Sequence, residues 1–305
     1  MTSFTNSEAG NPVDACCGLG SQRRRHRPVR GIGLRGALAQ HGEVAHAQRL
    51  TWHDQRMTAT FYDRLAPYYH LLYGDWEVAI TRQGDALSDL LAAQGIAPGA
   101  PILDAACGIG TQAIGLARHG YRLTASDISP GAVARLRDEL ARRDLRACVR
   151  VDDLRTLRSV ESESMAAVLA CDNSLPHLLS DAELLQALRT CHRCLRPGGV
   201  AVFSVRDYAS IARVNPDVRP YGMRHAAGGR FLAVQVWEWD GDQYDLHVYL
   251  TTESPTGTCT MQVLTSRYYA VSIERLLALL GDAGFVHAQR RDDVLFQPVL
   301  LARRA

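Results

Sequence analysis

The chain has 305 residues, and all 34 of its basic side chains are arginine, so chemistry that needs a Schiff-base lysine or a P-loop lysine is excluded. A hydrophobic content of 47% and a charged content of 22% are typical of a globular protein, and a net charge of +2 gives no general indication of nucleic-acid binding. No apolar run reaches the roughly 18 to 20 residues that a membrane-spanning helix needs. We therefore expect a cytoplasmic protein without a membrane partner.

The first 56 residues differ from the rest of the chain. Eight arginines and four carboxylates give this segment a net charge of +4, whereas the remaining 249 residues carry a net charge of −2. Glycine, proline and polar clusters leave little helical or strand periodicity. We expect a disordered basic leader over 1–56 and a folded domain over 57–305. The alternatives are an arm that contacts RNA or a membrane, and non-native sequence upstream of Met57.

The folded region begins with a helical pattern over 60–94, inside an N-terminal helical cap that we place at 57–95. Short apolar segments then alternate with helical ones, which predicts a doubly wound, mostly parallel sheet. The predicted strands are 101–106, 121–127, 147–151, 165–171 and 200–205. The predicted helices are 111–119, 130–143 and 181–195, and a turn is predicted at 196–199.

After residue 205 the pattern becomes that of antiparallel strands. We predict an insertion of two or three strands within 206–270, preceded by an arginine-rich loop at 206–229. Asp240-Gly241-Asp242 separates two of the strands and is a hairpin signal. The predicted strands of the insertion are 230–239, 244–252 and 259–269, and they are followed by a helix at 272–283 and strands near 286–290 and 294–302.

A CxxC pair and a glycine loop are the two motifs that could carry chemistry. Cys191 and Cys194 lie inside a helical pattern without a second such pair, so we expect no metal. The glycine loop lies between the first strand and its helix, where Gly108 and Gly110 allow a ligand to approach the backbone closely. The alternative is that Gly108 only makes a tight turn.

Carboxylates around the glycine loop indicate the kind of ligand. Asp127 ends the second strand 19 residues after Gly108, where it can accept both hydroxyls of a ribose or, alternatively, cap the next helix. Asp104 at the end of the first strand would repel a pyrophosphate but suits a cation. After the third strand, Asp152-Asp153-Leu154 can hold an adenine amino group and ring. These acids predict a cationic nucleoside ligand without phosphate.

With these motifs the sequence resembles class I S-adenosylmethionine-dependent methyltransferases over about residues 60–303. The resemblance includes the Asp104-x-x-x-Gly108-x-Gly110 loop, the acids after strands two to four, and the Leu195-Arg196-Pro197-Gly198-Gly199 turn. It implies a Rossmann-like, seven-stranded sheet and S-adenosyl-L-methionine as the cofactor. The cofactor-binding residues that it implies are Asp104, Gly108, Gly110, Asp127, Ile128, Asp152, Asp153, Leu154, Asp172, Tyr73 and Arg82, although the spacing of Arg82 departs from the family pattern.

Within this class, three segments resemble the glycine and sarcosine N-methyltransferases. They are 69–76, 173–178 and 205–208, and the antiparallel insertion also fits that branch. The resemblance implies that Arg206 binds the carboxylate of an amino-acid acceptor, for which a guanidinium is a bidentate match. The alternative is an ion pair of Arg206 with Asp207 or Glu238.

The resemblance also places further residues around the acceptor. Asn173 is implied to lie near it, and Asn173, Tyr69 and His177 are the candidate catalytic residues, which would orient its lone pair. Tyr221 is a candidate pocket wall. The loop at 206–229 leaves a larger anionic acceptor as an alternative to glycine.

We therefore expect a small-molecule methyltransferase acting on glycine, sarcosine or a similar amino acid. The alternatives are another small carboxylic acid or amine, an RNA methyltransferase that uses the basic leader, and a regulator that binds the cofactor without turnover. Nucleic acid is not the expected partner, because the body is slightly acidic and lacks the aromatic motif of amino-group nucleic-acid methyltransferases. A homo-oligomer remains open.

Overall fold

The computed structural model describes residues 56–226 and 228–305. The leader predicted for 1–56 therefore lies outside the described residues, except for residue 56. Within the described part of the chain, no helix combines the length and the apolar character needed to cross a bilayer.

A seven-stranded sheet forms the centre of the domain, with the order β10-β11-β5-β4-β1-β2-β3. Strands β1 to β5 are parallel, while β11 runs antiparallel to both β5 and β10. The strands are β1 Pro101–Asp104, β2 Arg122–Asp127, β3 Cys148–Val151, β4 Met165–Ala170, β5 Leu195–Ser204, β10 Phe285–Arg291 and β11 Val299–Arg304. The predicted doubly wound, Rossmann-like sheet is confirmed.

Helices cover both faces of this sheet, which explains why its central strands are continuously apolar. In β1, Ile102 packs in one hydrophobic core with side chains of α2, α3 and α4, whereas Leu103 packs in the other with side chains of α5 and α6. The helices are α1 over 56–65, α2 Trp76–Ala93, α3 Thr111–Arg118, α4 Pro130–Arg142, α5 Asp181–Cys194 and α6 Ile273–Asp282.

The N-terminal cap is not the continuous helix predicted for 60–94. Helix α1 ends at residue 65, a 3₁₀ turn follows at Tyr69–Leu72, and α2 begins at Trp76. Pro67 lies in the first break, where its ring and missing N–H oppose helix continuation. Asp75 caps α2 by accepting a hydrogen bond from the Val78 N–H.

Strand β5 begins at Leu195, five residues earlier than predicted. Leu195 pairs with Met165 and Val200 pairs with Ala167, so the four residues between them bulge out of the register. Gly198 adopts a φ of 74° in this bulge. The predicted turn at 196–199 is therefore an irregularity within the strand.

The insertion is a separate antiparallel sheet of four strands, one more than the largest number predicted. Its strands are β6 Asp217–Ala226, β7 Gly229–Asp240, β8 Gln243–Glu253 and β9 Cys259–Tyr269, paired in that order. The prediction of a loop at 206–229 is wrong for 217–226. Arginines and a register shift between Pro220 and Gly222 mask the alternation of β6, as is common on an edge strand.

Candidate active site

A cavity opens at the carboxyl ends of β1, β2 and β4. Strand β1 lies between β2 and β4, so the strand order reverses there, and ligands of doubly wound sheets bind at such a point. The loops after these strands supply much of the cavity wall, and α1 with the following 3₁₀ turn supplies the rest. We call it the cofactor cavity, and its lining includes Thr58, Tyr62, Tyr69, Tyr73, Gly108, Thr111, Asp127, Ile128, Asp153, Leu154, Asp172 and His177.

The glycine loop has the conformation that its two glycines permit. Gly108 has a φ of 50° and Gly110 a φ of 98°, both in the left-handed region that favours glycine. A Cβ at Gly110 would also lie 2.2 Å from Leu136 Cδ1, whereas a Cβ at Gly108 would meet only Tyr69, at 3.6 Å. Gly108 therefore lines the cavity, and Gly110 makes the tight turn into α3.

Asp127 ends β2 and holds the glycine loop. It accepts the Gly108 N–H at 2.8 Å with one oxygen and the Ser129 N–H at 2.9 Å with the other. Burial raises the pKa of this carboxyl, which these backbone hydrogen bonds oppose. A carboxylate can accept about four hydrogen bonds, so positions remain on Asp127 to accept bonds from the two hydroxyls of a ribose.

Asp104 provides a direct test of whether the site fits a cation. It is 1% exposed at the end of β1, just before the cavity-lining residues 105–107, and neither carboxylate oxygen has a hydrogen-bond partner among the described residues. Burial and the nearby Asp127 raise its pKa to about 7. Asp104 does not itself line the cavity but lies directly behind residues 105–107, which do. A buried unpaired carboxylate is costly unless a positive ligand or water compensates it, so negative charge at this place fits the cationic sulfonium and ammonium groups of S-adenosylmethionine.

The end of the cavity beside Leu154 holds an acid–base–acid cluster that sequence reasoning missed in part. Arg155 lies between Asp153, at 2.6 Å, and Glu183 of α5, at 2.5 Å. All three line the cavity with Leu154. Asp152 lies outside the lining and accepts backbone N–H groups of residues 153, 158 and 159. The structure thus brings Asp153 and Leu154 to the cavity and leaves Asp152 in a loop-stabilising position.

A hydrogen-bond chain aligns the wall beside the glycine loop. Trp76 donates to Thr111 at 2.9 Å, Thr111 donates to the Tyr73 hydroxyl at 3.2 Å, and Tyr73 donates to Asp172 at 3.1 Å. Asp172 and Asn173 both have a positive φ, of 57° and 66°. Consecutive non-glycine residues in this region are uncommon and cluster at functional sites.

A second cavity, which we call the acceptor chamber, lies between the cofactor cavity and the insertion sheet. Tyr62, Tyr69, Tyr73 and Asp172 line both cavities. The chamber wall also includes Leu72, Arg82, Asn173, Arg206, Tyr221, Tyr268 and Phe296. An acceptor there would be next to the methyl donor.

Arg206 follows β5 and faces this chamber. Its guanidinium lies 5.2 Å from the centre of the Trp237 ring, and its backbone N–H donates to Asn173 at 3.0 Å. In the described residues no carboxylate lies within ion-pair distance of it. The alternative ion pairs are wrong, because Asp207 pairs with Arg290 at 2.8 Å and Glu238 lies 3.4 Å from His247.

His177 lines the cofactor cavity as a neutral side chain. It is hydrogen-bonded to the Tyr62 hydroxyl at 2.8 Å, and its ring lies 4.0 Å from that of Tyr268. Burial and the charge of Arg206 lower its pKa to about 3. The imidazole therefore carries no charge at neutral pH, and its other ring nitrogen lies 3.4 Å from the Ser266 hydroxyl.

Arg82 does not lie at the cofactor as expected, whereas Asn173 lines the acceptor chamber with its amide group engaged in hydrogen bonds. Arg82 is exposed on α2 and lines the acceptor chamber instead of the cofactor cavity. Asn173 is 3% exposed, and its amide donates to Tyr208 at 2.8 Å while its oxygen holds the Arg206 N–H. Residues missed are Tyr62, Arg155, Glu183 and Tyr268. No local motif marks them, since each acquires its role through contacts distant in sequence.

Residues 102–199 match the family model described as a methyltransferase domain. The chain is 28% identical over 156 residues to the putative methyltransferase YqeM of Bacillus subtilis, covering 47% of this chain and 62% of that protein. It is 27% identical to the glycine/sarcosine N-methyltransferase of Parasynechococcus marenigrum, covering 48% and 50%. The chain thus spans about half to three fifths of these curated relatives.

A solved structure extends the match across most of the fold. The sugar N-methyltransferase KedS8 from Streptoalloteichus aligns with a TM-score of 0.62 at 17% identity, covering 93% of this chain and 99% of that one. The predicted fold and the predicted cofactor, S-adenosyl-L-methionine, are confirmed by the family match together with this architecture. Residues 102–199 are thus similar to a methyltransferase domain, and the seven-stranded sheet has the fold of class I S-adenosylmethionine-dependent methyltransferases.

Proposed function

We propose that the protein transfers a methyl group from S-adenosylmethionine to the amine of a small molecule that carries a carboxylate. The observation that carries this proposal is Arg206, a guanidinium without a carboxylate partner among the described residues, in a chamber that adjoins the cofactor cavity. A guanidinium presents paired donors that match a carboxylate. The partial likeness to glycine/sarcosine N-methyltransferases supports the same acceptor class.

The cofactor cavity supplies the groups that would hold the methyl donor. Asp127 would accept the ribose hydroxyls, Asp153 and Leu154 would contact the adenine, and the Gly108 backbone would face the methionine part. When bound, the cofactor supplies an electrophilic methyl group on a sulfonium. Asp104 and Asp172 place negative charge near that position, which favours binding of the cation.

The four residues that line both cavities, Tyr62, Tyr69, Tyr73 and Asp172, form a shared wall that would align the acceptor nitrogen with the methyl group. The protein mainly holds the nucleophile in line and excludes water in such a displacement. A free alkyl ammonium has a pKa of about 10, so its deprotonation at pH 7 costs roughly 4 kcal/mol. The amine can lose this proton to solvent before it binds. Tyr69 and Asp172 lie on this wall, where they would accept the remaining N–H bonds.

A methyl-donor consumption assay tests the proposal directly. Purified protein should consume S-adenosylmethionine with an amine carboxylate from a panel that includes glycine, sarcosine and dimethylglycine. Changing Arg206→Ala should raise the KM for this acceptor by about 10- to 100-fold, because a hydrogen bond to a charged group contributes about 1.5–3 kcal/mol. Cofactor affinity, measured by calorimetry, should change little.

Arg213→Ala is the matched control, because Arg213 is exposed and pairs with Asp242 outside the chamber. Its KM should equal that of the wild type. An unchanged KM in the Arg206→Ala variant would remove the carboxylate assignment.

Methylation of an amino sugar is the second candidate, supported by the 99% coverage of the sugar N-methyltransferase KedS8. An amino sugar without a carboxylate would not need Arg206. Turnover of such sugars with equal KM in wild type and Arg206→Ala would favour this candidate over the first.

A further inference from the structure

We propose that the acceptor carries a sizeable apolar side chain, which contacts Phe296 at the mouth of the acceptor chamber while its carboxylate binds Arg206. This inference rests on the proposed function and names the substrate class of the same site. It makes Phe296 a specificity-determining residue and glycine a poor acceptor.

The size of the chamber is the first observation. Its volume is about 350 Å³, whereas about 10–15 Å³ on the same kind of measure is enough for one water. Pockets of about 300–1,000 Å³ generally bury ligands of drug-like size. A molecule as small as glycine, held at Arg206 and the shared wall, would leave most of this space filled with water.

The chemistry of the mouth is the second observation. Phe296 is 61% exposed, yet it lines the chamber together with the partly buried Leu72. Ligand pockets are lined predominantly by hydrophobic and aromatic side chains, and Phe296 is an aromatic lining residue that solvent still reaches. Removing it from water by contact with an apolar ligand would be favourable.

The loop that carries Phe296 is fixed beside Arg206, which is the third observation. The Val205 N–H donates to the Pro298 carbonyl at 3.1 Å, on one side of Arg206. On the other side, Asp207 pairs with Arg290 of β10 at 2.8 Å. The carboxylate site and the aromatic rim are thus held on neighbouring backbone segments, so one acceptor molecule can contact both.

The polar and charged groups of the chamber further limit which acceptors it can bind. Apart from Arg206, the charged groups among its described lining residues are Asp172, on the shared wall, and Arg82, which is exposed on α2. The Tyr221 hydroxyl accepts a hydrogen bond from Gln235 at 2.8 Å, and Gln235 in turn accepts from Trp237 at 2.9 Å. One carboxylate, one amine and an apolar body therefore match the groups that the chamber offers.

The test compares acceptors that differ only in the side chain. We expect kcat/KM for methylation to rise at least about tenfold from glycine to leucine or phenylalanine, since even one methylene in an apolar pocket is worth about tenfold or more. Phe296→Ala should reduce kcat/KM for phenylalanine by about tenfold and leave that for glycine unchanged. The substitution is at an exposed site, so the fold should be retained.

Met261→Ala is the matched control, because Met261 is 67% exposed on the insertion sheet and does not line the chamber. It should change kcat/KM for neither glycine nor phenylalanine. Equal kcat/KM for glycine and phenylalanine in the wild type, or an equal loss for both in Phe296→Ala, would overturn the inference.

A binding measurement separates this inference from the proposed function. With S-adenosyl-L-homocysteine present, 3-phenylpropionate should bind more tightly than acetate by calorimetry, and Phe296→Ala should remove the difference. Neither acid has an amine, so the binding result does not depend on turnover. If the binding difference is found but no amine is methylated, the proposed function is wrong and this inference stands. Equal binding of both acids overturns the inference whatever the turnover assay shows.

Discussion

Asp104 is a carboxyl group in an environment that its residue type alone would not predict. The sequence places an acid at the end of β1, but only the fold shows that both oxygens lack partners among the described residues. A carboxyl whose pKa is raised from 3.8 to about 7 contributes stability below its unfolded pKa and loses it as the pH rises through about 7. The protein without cofactor is therefore penalised by this group at neutral and alkaline pH.

Asp104→Asn should remove that penalty, because the amide resembles the protonated carboxyl. Its gain in unfolding free energy over the wild type should grow by roughly 2–3 kcal/mol between pH 5 and pH 8. Denaturant unfolding without cofactor measures this, with the exposed Asp89→Asn as the control. Cofactor affinity should fall at pH 8. Parallel pH profiles for Asp104→Asn and wild type would contradict the assigned pKa.

At the scale of elements, helix α1 connects three parts of the domain. Phe61 and Leu65 pack into the core of the insertion sheet, and Thr58 and Tyr62 line the cofactor cavity. Asp63 accepts the Ser129 hydroxyl at 2.6 Å and the Gly131 N–H at 2.7 Å, at the start of α4. This contact fastens α1 immediately beside the loop that carries Asp127.

Asp63→Ala should loosen α1 and weaken cofactor binding by roughly tenfold, because it removes two hydrogen bonds to a charged acceptor. Calorimetry gives the affinity, and hydrogen exchange of residues 56–65 should increase. Asp63→Asn keeps an acceptor oxygen and should restore most of the affinity. The exposed Arg64→Ala on the same helix is the control. Unchanged exchange in Asp63→Ala would show that this contact does not hold the helix.

Helices α2 and α3 cross at a pair of glycines. A Cβ on Gly84 would lie 2.6 Å from the Gly115 Cα. Because this is a backbone atom, the two helices would have to move apart to make room. Gly84→Ala should therefore reduce the unfolding free energy by about 1–3 kcal/mol or more. Gly281→Ala in α6 meets no atom within 4 Å and should instead raise it by up to about 1 kcal/mol. Thermal or denaturant unfolding of both variants measures these changes. An unchanged unfolding free energy in Gly84→Ala would contradict the close crossing of the helices.

For the molecule as a whole, the basic leader and the body have opposite net charge. All residues that line the two cavities in the described part of the chain follow Met57. We expect that a protein beginning at Met57 retains cofactor binding and the kcat/KM for its small acceptor. A loss of that turnover, or RNA methylation that requires residues 1–56, would favour the alternative in which the leader binds RNA.

Sequence reasoning found the parts of the site that depend on local backbone requirements. Gly108, Asp127 and Asp153 follow strand ends at characteristic distances, and the fold brings all three to the cofactor cavity. It did not find the ion pair between Arg155 and Asp153, because Arg155 is held there by a second ion pair with Glu183, which the distant helix α5 supplies. Asp152 and Arg82 were also predicted at the cofactor, but Asp152 stabilises its own loop and Arg82 lines the acceptor chamber.

The sequence by itself determined the alternation of strands and helices, the glycine loop and the acids that point to a cationic nucleoside, because periodicity and turn chemistry are local. Only the tertiary structure decided that β6 forms a fourth strand of the insertion, that Arg206 lacks a carboxylate partner among the described residues, and that Phe296 stands at the chamber mouth. Such properties depend on which distant segments pack together, and in this chain they determine what the chamber can bind.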